Sequence, residues 1–165
     1  MVRLFHCLTL GLVIHCSLLL TGCNTVSYQS DGLRGGYSDV VLANGEYRVT
    51  YQGNGDISST QALDFALLRA SVIAMNNRAE FAIANEIQLT IETVKIDLNL
   101  PYIYKPTARL NLSLKNDEYL ASVLVSCDLN AYYVTIKNQS LDFAFEPREC
   151  ISRLKTKYKL PDKYI

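Results

Sequence analysis

The segment from Ser58 to Asn77 constrains the fold most tightly. Ser58-Ser59-Thr60-Gln61 has the S-x-x-Q form of a capping box, which satisfies the free N–H groups at a helix start. Directly after it, Leu63, Phe65, Ala66, Leu67, Ala70, Val72, Ile73 and Ala74 form a wide apolar stripe at helical spacing, with Asp64 and Arg69 as its main interruptions. This predicts a helix over about 60–75, with Asn76-Asn77 suited to a left-handed cap. A face that wide has to be covered. The flanking sequence alternates with period two, so the expected cover is a sheet.

Val40, Val41 and Leu42 precede Asn44-Gly45, a favoured two-residue turn, and Tyr47, Val49 and Tyr51 then alternate with polar residues. Gly53-Asn54-Gly55-Asp56 reads as a loop whose glycines supply positive φ rather than as a phosphate cradle, because no Gly-Lys-Ser/Thr follows. After the helix, Phe81 and Ile83, then Ile87, Leu89 and Ile91, keep period two until the phase slips near Thr93, as at a bulge or a strand break. Pro101 and Pro106 bracket a tyrosine-rich connection. A hairpin is expected with Leu110, Leu112 and Leu114 on one arm, a turn at Asn116-Asp117, and Ala121, Val123, Val125 and Cys127 returning; Tyr133–Ile136 extends the sheet. Pro147 opens a short C-terminal helix whose lysine-rich end reads as a solvated face, the alternative being contact with anionic headgroups or an acidic partner. The predicted class is α+β: an antiparallel sheet of four to six strands, one long helix on a face, and a short C-terminal helix.

The N-terminus is of another kind. One cation, Arg3, precedes an apolar run from Leu8 to Leu20, interrupted by His15 and Ser17 and too short for a transmembrane helix. It ends in Leu20-Thr21-Gly22-Cys23, which resembles the lipobox of bacterial lipoproteins. The resemblance implies removal of residues 1–22, acylation of Cys23 (palmitate among the chains), and permanent attachment to a membrane. Asn24, where an aspartate would act as a retention signal, implies the outer membrane, facing the periplasm. Residues 23–36, polar and glycine-rich, are expected to be a flexible tether, leaving 37–165 as one domain.

Cleavage before Cys23 would remove much chemistry. The chain has two histidines, His6 and His15, and both lie in the signal, so histidine-based triads, dyads and metal sites are excluded from the mature domain. Of five cysteines, Cys127 and Cys150 alone would remain as thiols; in an oxidising compartment they are expected to pair, the alternative being two buried thiols. Lysine plus arginine balance aspartate plus glutamate at 16 each, which gives no reason to expect nucleic acid as a partner. No metal or cofactor motif is present, and the carboxylates Asp56, Glu86, Glu92 and Asp97 define no acid–base pair.

Gly36-Tyr37-Ser38, Tyr47–Tyr51, Gly53-Asn54-Gly55, Ala66-Leu67-Leu68-Arg69-Ala70 and Phe81 together resemble the CC0125/CC1285-type lipoprotein domain family over about residues 35–85. The likeness implies a fold and a cellular address but no activity. The sequence thus points to a non-enzymatic interaction or assembly module of the cell envelope with a protein partner. The alternative is a small-ligand binder with a pocket between helix and sheet, for which the candidates are Arg69, Tyr102 and Tyr104.

Overall fold

Ser58 caps the helix as its sequence predicts, its hydroxyl accepting from the Gln61 N–H at 3.1 Å. The computed structural model describes residues 28–95, 97, 99, 101–116, 127–135 and 142–162. Along the chain these form β1 (Gly36–Val41), β2 (Tyr47–Gln52), α1 (Ser59–Asn76), β3 (Phe81–Val94), β4 (Ile103–Lys115), α2 (Leu129–Thr135), β5 (Phe143–Phe145) and α3 (Pro147–Tyr158). The strands make one antiparallel five-stranded sheet in the order β1-β2-β4-β3-β5, so the fold is α+β, with α1 packed on the sheet and a short C-terminal helix. The left-handed residue after α1 is Arg78, not Asn77; the Asn77 side chain donates instead to the Ile73 carbonyl at 2.8 Å.

Helix α1 is buried almost all round, from Ala62 to Ala74 except for Arg69. A stripe needs one cover, whereas a helix apolar on every side needs several. The sheet supplies the first cover, and α2 and α3 pack against α1 as well. Beneath the helix lie Val49 and Tyr51 of β2, Ala108, Leu110 and Leu112 of β4, and Ala82 and Ala84 of β3, all buried. The alanines of β3 stand directly opposite Phe145 and Phe143 of β5, so small and large side chains alternate across the pair. Phe65 is the meeting point: its ring lies 5.1 Å from Tyr51, 5.6 Å from Tyr28 and 4.9 Å from Tyr158, each edge-on. Cys127, just before α2, is bonded to Cys150 in α3, with Cα atoms 5.1 Å apart.

Several expectations are corrected. Tyr28 is fully buried, and Gln29 and Asp31 bond to Tyr37 through the backbone, so the stretch from Tyr28 to Gly36 belongs to the folded domain and not to a tether. The β1–β2 turn has three residues, Ala43 to Gly45, because Leu42 pairs with Glu46 and Gly45 takes φ 83°. On β3 the core side chains are Ala82 and Ala84 rather than Phe81 and Ile83. No slip occurs near Thr93, where the pairing runs unbroken from Gln88 to Val94; the bulge is instead at Glu86 and Ile87, which together face Leu110, with Glu86 at φ 47°, and its parity change brings Ile87 and Leu89 onto the core face. Gly53 and Gly55 do not adopt positive φ; they are needed for closeness, since a Cβ on either would strike Pro106 and Ile57, or Ile103.

Pro106 is inside β4 rather than in a connection. Its carbonyl accepts from the Gly53 N–H beyond the end of β2, and a strand residue's N–H points the same way, so the missing donor falls at the sheet margin. Leu110 and Leu112 face Val49 and Tyr47 of β2 on one side, and Leu112 also faces Ala84 of β3; no returning strand can pair with that stretch as the expected hairpin required. Asp117 and residues 121–126 lie outside the described residues. Tyr133 and Val134 are helical, in α2, and Ile136 lies outside the described residues.

Phe65→Ala should cost about 3–5 kcal/mol, as expected for emptying a fully packed aromatic site. Opening the Cys127–Cys150 bridge, which spans a sequence separation of 23, should cost roughly 3 kcal/mol. Denaturant melts of the oxidised, reduced and variant proteins measure both; a Phe65→Ala loss below about 1 kcal/mol would contradict its central place.

Candidate functional site

Both charges in α1 are engaged internally. Arg69 Nε donates to Asp39 Oδ1 of β1 at 2.6 Å, and its guanidinium lies 4.5 Å from the centre of the Tyr37 ring. Burial works against the charged form of Arg69, but the hydrogen bond and charge of Asp39 outweigh it and hold the guanidinium above its usual value. Asp64 is buried and accepts from Lys157 Nζ and Tyr158 Oη of α3, each at 2.6 Å. The first pair ties α1 to the sheet edge, and the second ties it to the C-terminal helix.

Tyr102 and Tyr104 are exposed and stand apart from Arg69. Tyr104 faces Thr93 on the long β3–β4 arm, and Lys95 lies 5.3 Å over the Tyr102 ring. Two clefts lie elsewhere, near the C-terminal end of α1. One of about 440 Å³ is lined by Met75, Arg78, Ala79, Glu80, Phe81, Glu146 and Arg148. The other, of about 340 Å³, shares Met75 and Arg148 and continues along α3 to Ile151 and Lys155. Arg69, Tyr102 and Tyr104 line neither cleft, and Arg69 is paired with Asp39, level with Leu110 of β4 and six residues along the strand from Tyr104.

The larger cleft is lined by two guanidinium groups, Arg78 and Arg148, by two carboxylates, Glu80 and Glu146, and by the apolar Met75 and Phe81. The α3 N-terminus beside it is already occupied, because the Glu146 carboxylate accepts from the N–H groups of Arg148 and Glu149 at 3.0 and 2.8 Å. Sequence reasoning missed this cleft because its residues lie at the ends of three separate elements.

The sheet face away from α1 carries a polar chain. Arg48 Nε donates to Asn111 Oδ1 at 3.1 Å, and Asn111 Nδ2 donates to Glu86 Oε2 at 2.6 Å, which uses the carboxylate that the bulge projects. Ser113 and Asn44 donate to Glu46, and these bonds, Ser113's first, hold its carboxyl below the usual range. Among the described residues no group of three or more His, Cys, Asp or Glu could hold a metal ion, and no helix is long and apolar enough to cross a membrane. Asp39, Asp64, Glu46 and Glu86 are each hydrogen-bonded within the fold, as structural partners. Cys23 lies outside the described residues.

Comparison of the chain with family models, with curated proteins and with solved structures finds no match. The likeness noted for residues 35–85 therefore rests on those residues alone.

Asp64→Ala should cost about 2–3 kcal/mol, since two hydrogen bonds to a buried charged acceptor are lost. Lys157→Ala should cost less, because that side chain is half exposed and Tyr158 still donates to the Asp64 carboxylate. Unfolding curves of the two variants should show this asymmetry.

Burial raises the phenols of Tyr28 and Tyr158 strongly and pushes Tyr51 up to about 12. The fold thus favours the neutral phenol. For Tyr51 that stabilisation is complete below the ordinary value near 10 and is lost as pH rises from about 10 through about 12, and for Tyr28 and Tyr158 it persists further. A phenolate absorbance titration should show these tyrosines ionising only with unfolding. Ionisation near pH 10 in the folded protein would contradict it.

Proposed function

We propose that the chain is a lipoprotein of a bacterial envelope, acylated at Cys23 after loss of residues 1–22 and held at the periplasmic face of the outer membrane. Its domain serves as a non-catalytic interaction or assembly module with a protein partner. The observation that carries this reading is the lipobox Leu20-Thr21-Gly22-Cys23 at the end of a short apolar run. Two features of the domain support it. Cys127 and Cys150 are bonded, as suits an oxidising compartment. The carboxylates of Asp39, Asp64 and Glu86 are each hydrogen-bonded within the fold.

A second reading, a binder of small anionic molecules, is favoured by the cleft lined by Arg78 and Arg148 beside Met75 and Phe81, in which one of the two carboxylates, Glu146, is already taken up by the N–H groups of α3. It moves the site from the helix–sheet interface, which is filled by packed side chains, to the end of α1.

The wild-type chain, expressed in a bacterial host fed an alkynyl fatty acid, should take up the label and sediment with membranes. Cys23→Ala should do neither. Crosslinking in intact cells should then capture an envelope protein with the wild type and lose it with Cys23→Ala. A purified domain that turns over a substrate while capturing nothing would defeat the proposal. Saturable binding of a small carboxylate or phosphate that Arg148→Gln abolishes would establish the second reading.

A further inference from the structure

Only four residues separate Cys23 from Tyr28, and Tyr28 is locked into the core against Phe65 and Tyr37. Fully extended, five steps of chain reach about 17 Å. A domain of this size has a radius of gyration of roughly 14 Å, so such a lead is shorter than the domain is wide. On the lipoprotein reading, then, the domain cannot roam. The end at which Tyr28 enters is held against the lipid.

The strand register identifies what else is at that end. Gly36, the first residue of β1, faces Gln52, the last of β2, and Gln52 faces Thr107 of β4. Beyond that level β1 and β2 stop, while β3 and β4 continue as a paired arm from Thr90–Thr107 to Val94–Ile103. On the arm, Ile91 faces Pro106 and Thr93 faces Tyr104, so Ile91 and Tyr104 lie on the same side, the one that carries the core further back. Yet Ile91, Tyr102 and Tyr104 are each more than half exposed. The loop before β1 adds a fully exposed Leu33, and it abuts the same level, since a Cβ on Gly35 would strike the Gln52 carbonyl. Among the described residues eight large apolar side chains are exposed, and these four collect at the entry end; Val40, Val41, Met75 and Val134 lie elsewhere.

We propose that this end is a membrane-docking surface: Leu33, Ile91, Tyr102 and Tyr104 seat into the interfacial layer of the bilayer to which Cys23 is anchored. The chemistry fits a lipid interface. Tyrosines place an apolar ring at acyl depth and a hydroxyl among headgroups, and Lys95, stacked over Tyr102, can keep its ammonium at the phosphates. The proposal rests on the acylation of Cys23, and it assigns Tyr102 and Tyr104 to lipid rather than to a soluble ligand.

The test uses the full chain, acylated in a bacterial host and reconstituted into vesicles of phosphatidylethanolamine and phosphatidylglycerol. Single variants Leu33→Cys, Thr93→Cys, Val40→Cys and Glu80→Cys carry a fluorophore, with nitroxide lipids as quenchers. Mass spectrometry of the N-terminal peptide reports the anchor independently. Acylated protein should show quenching at positions 33 and 93 severalfold above that at 40 and 80, and Tyr102→Asp with Tyr104→Asp should abolish the difference at 93. Acylated protein with equal quenching at all four positions overturns the docking surface and leaves the anchor standing. An unmodified N-terminus overturns both.

Discussion

Three separate stretches of chain converge on the Phe65 ring: Tyr28 from the N-terminal lead, Tyr51 from β2 and Tyr158 from the end of α3. Each contact is edge-on, the arrangement that aromatic quadrupoles favour, and all four rings are at least half-buried. The domain's layers depend on this junction. The sheet alone would cover one side of α1 and leave the other apolar side to water. The contact with Tyr158 brings α3 over that side, the disulfide clips α3 to the start of α2, and the alanines of β3 and β4 let the helix sit low on the sheet.

The polar residues of α1 follow from the same burial. A helix with cover on every side has no solvated face for a charge, so each charge must find a partner in the element that covers it. Asp64 meets Lys157 and Tyr158 where α3 lies, and Arg69 meets Asp39 and Tyr37 where β1 lies. These pairs specify which element packs where, since a shift of either helix would bury an unpaired charge. For that reason Arg69, prominent in the sequence as a cation within an apolar run, is spent on architecture.

The elements legible in the sequence were those whose signal is local. The cap at Ser58, the run to Ala74 and the alternation around Val49 and Tyr51 each depend on residues close together in the chain. What was illegible depended on distant partners. Phe81 and Ile83 have the more apolar pattern, but the helix leaves room over β3 only for Ala82 and Ala84. Three residues of β5 carry too short a pattern to register, although Phe143 and Phe145 are fully buried. Tyr133 and Val134 have strand propensity, yet the segment is helical, with Asp128 Oδ1 accepting from the Ala131 N–H at its start. The candidate site suffered in the same way: Met75, Phe81 and Arg148 belong to different elements, and no spacing announces the approach of Arg148 to the other two.

Tyr28 shows how core and surface are coupled in this fold. It looked like part of a polar, glycine-rich leader because its neighbours Gln29, Ser30, Asp31 and Gly32 carry no apolar period. A single large side chain needs no period to be captured by a core that has an opening for it. Once captured, it fixes where the lead departs from the domain, within a short chain's reach of Cys23. The Phe65 cluster that holds the layers together thus also sets the end of the sheet from which the lead departs, which on the proposed acylation of Cys23 is the end that faces the membrane. On that proposal, a substitution that loosened Tyr28 would lengthen the effective tether without touching the lipid and would free the β3–β4 arm from the orientation that the core imposes on it.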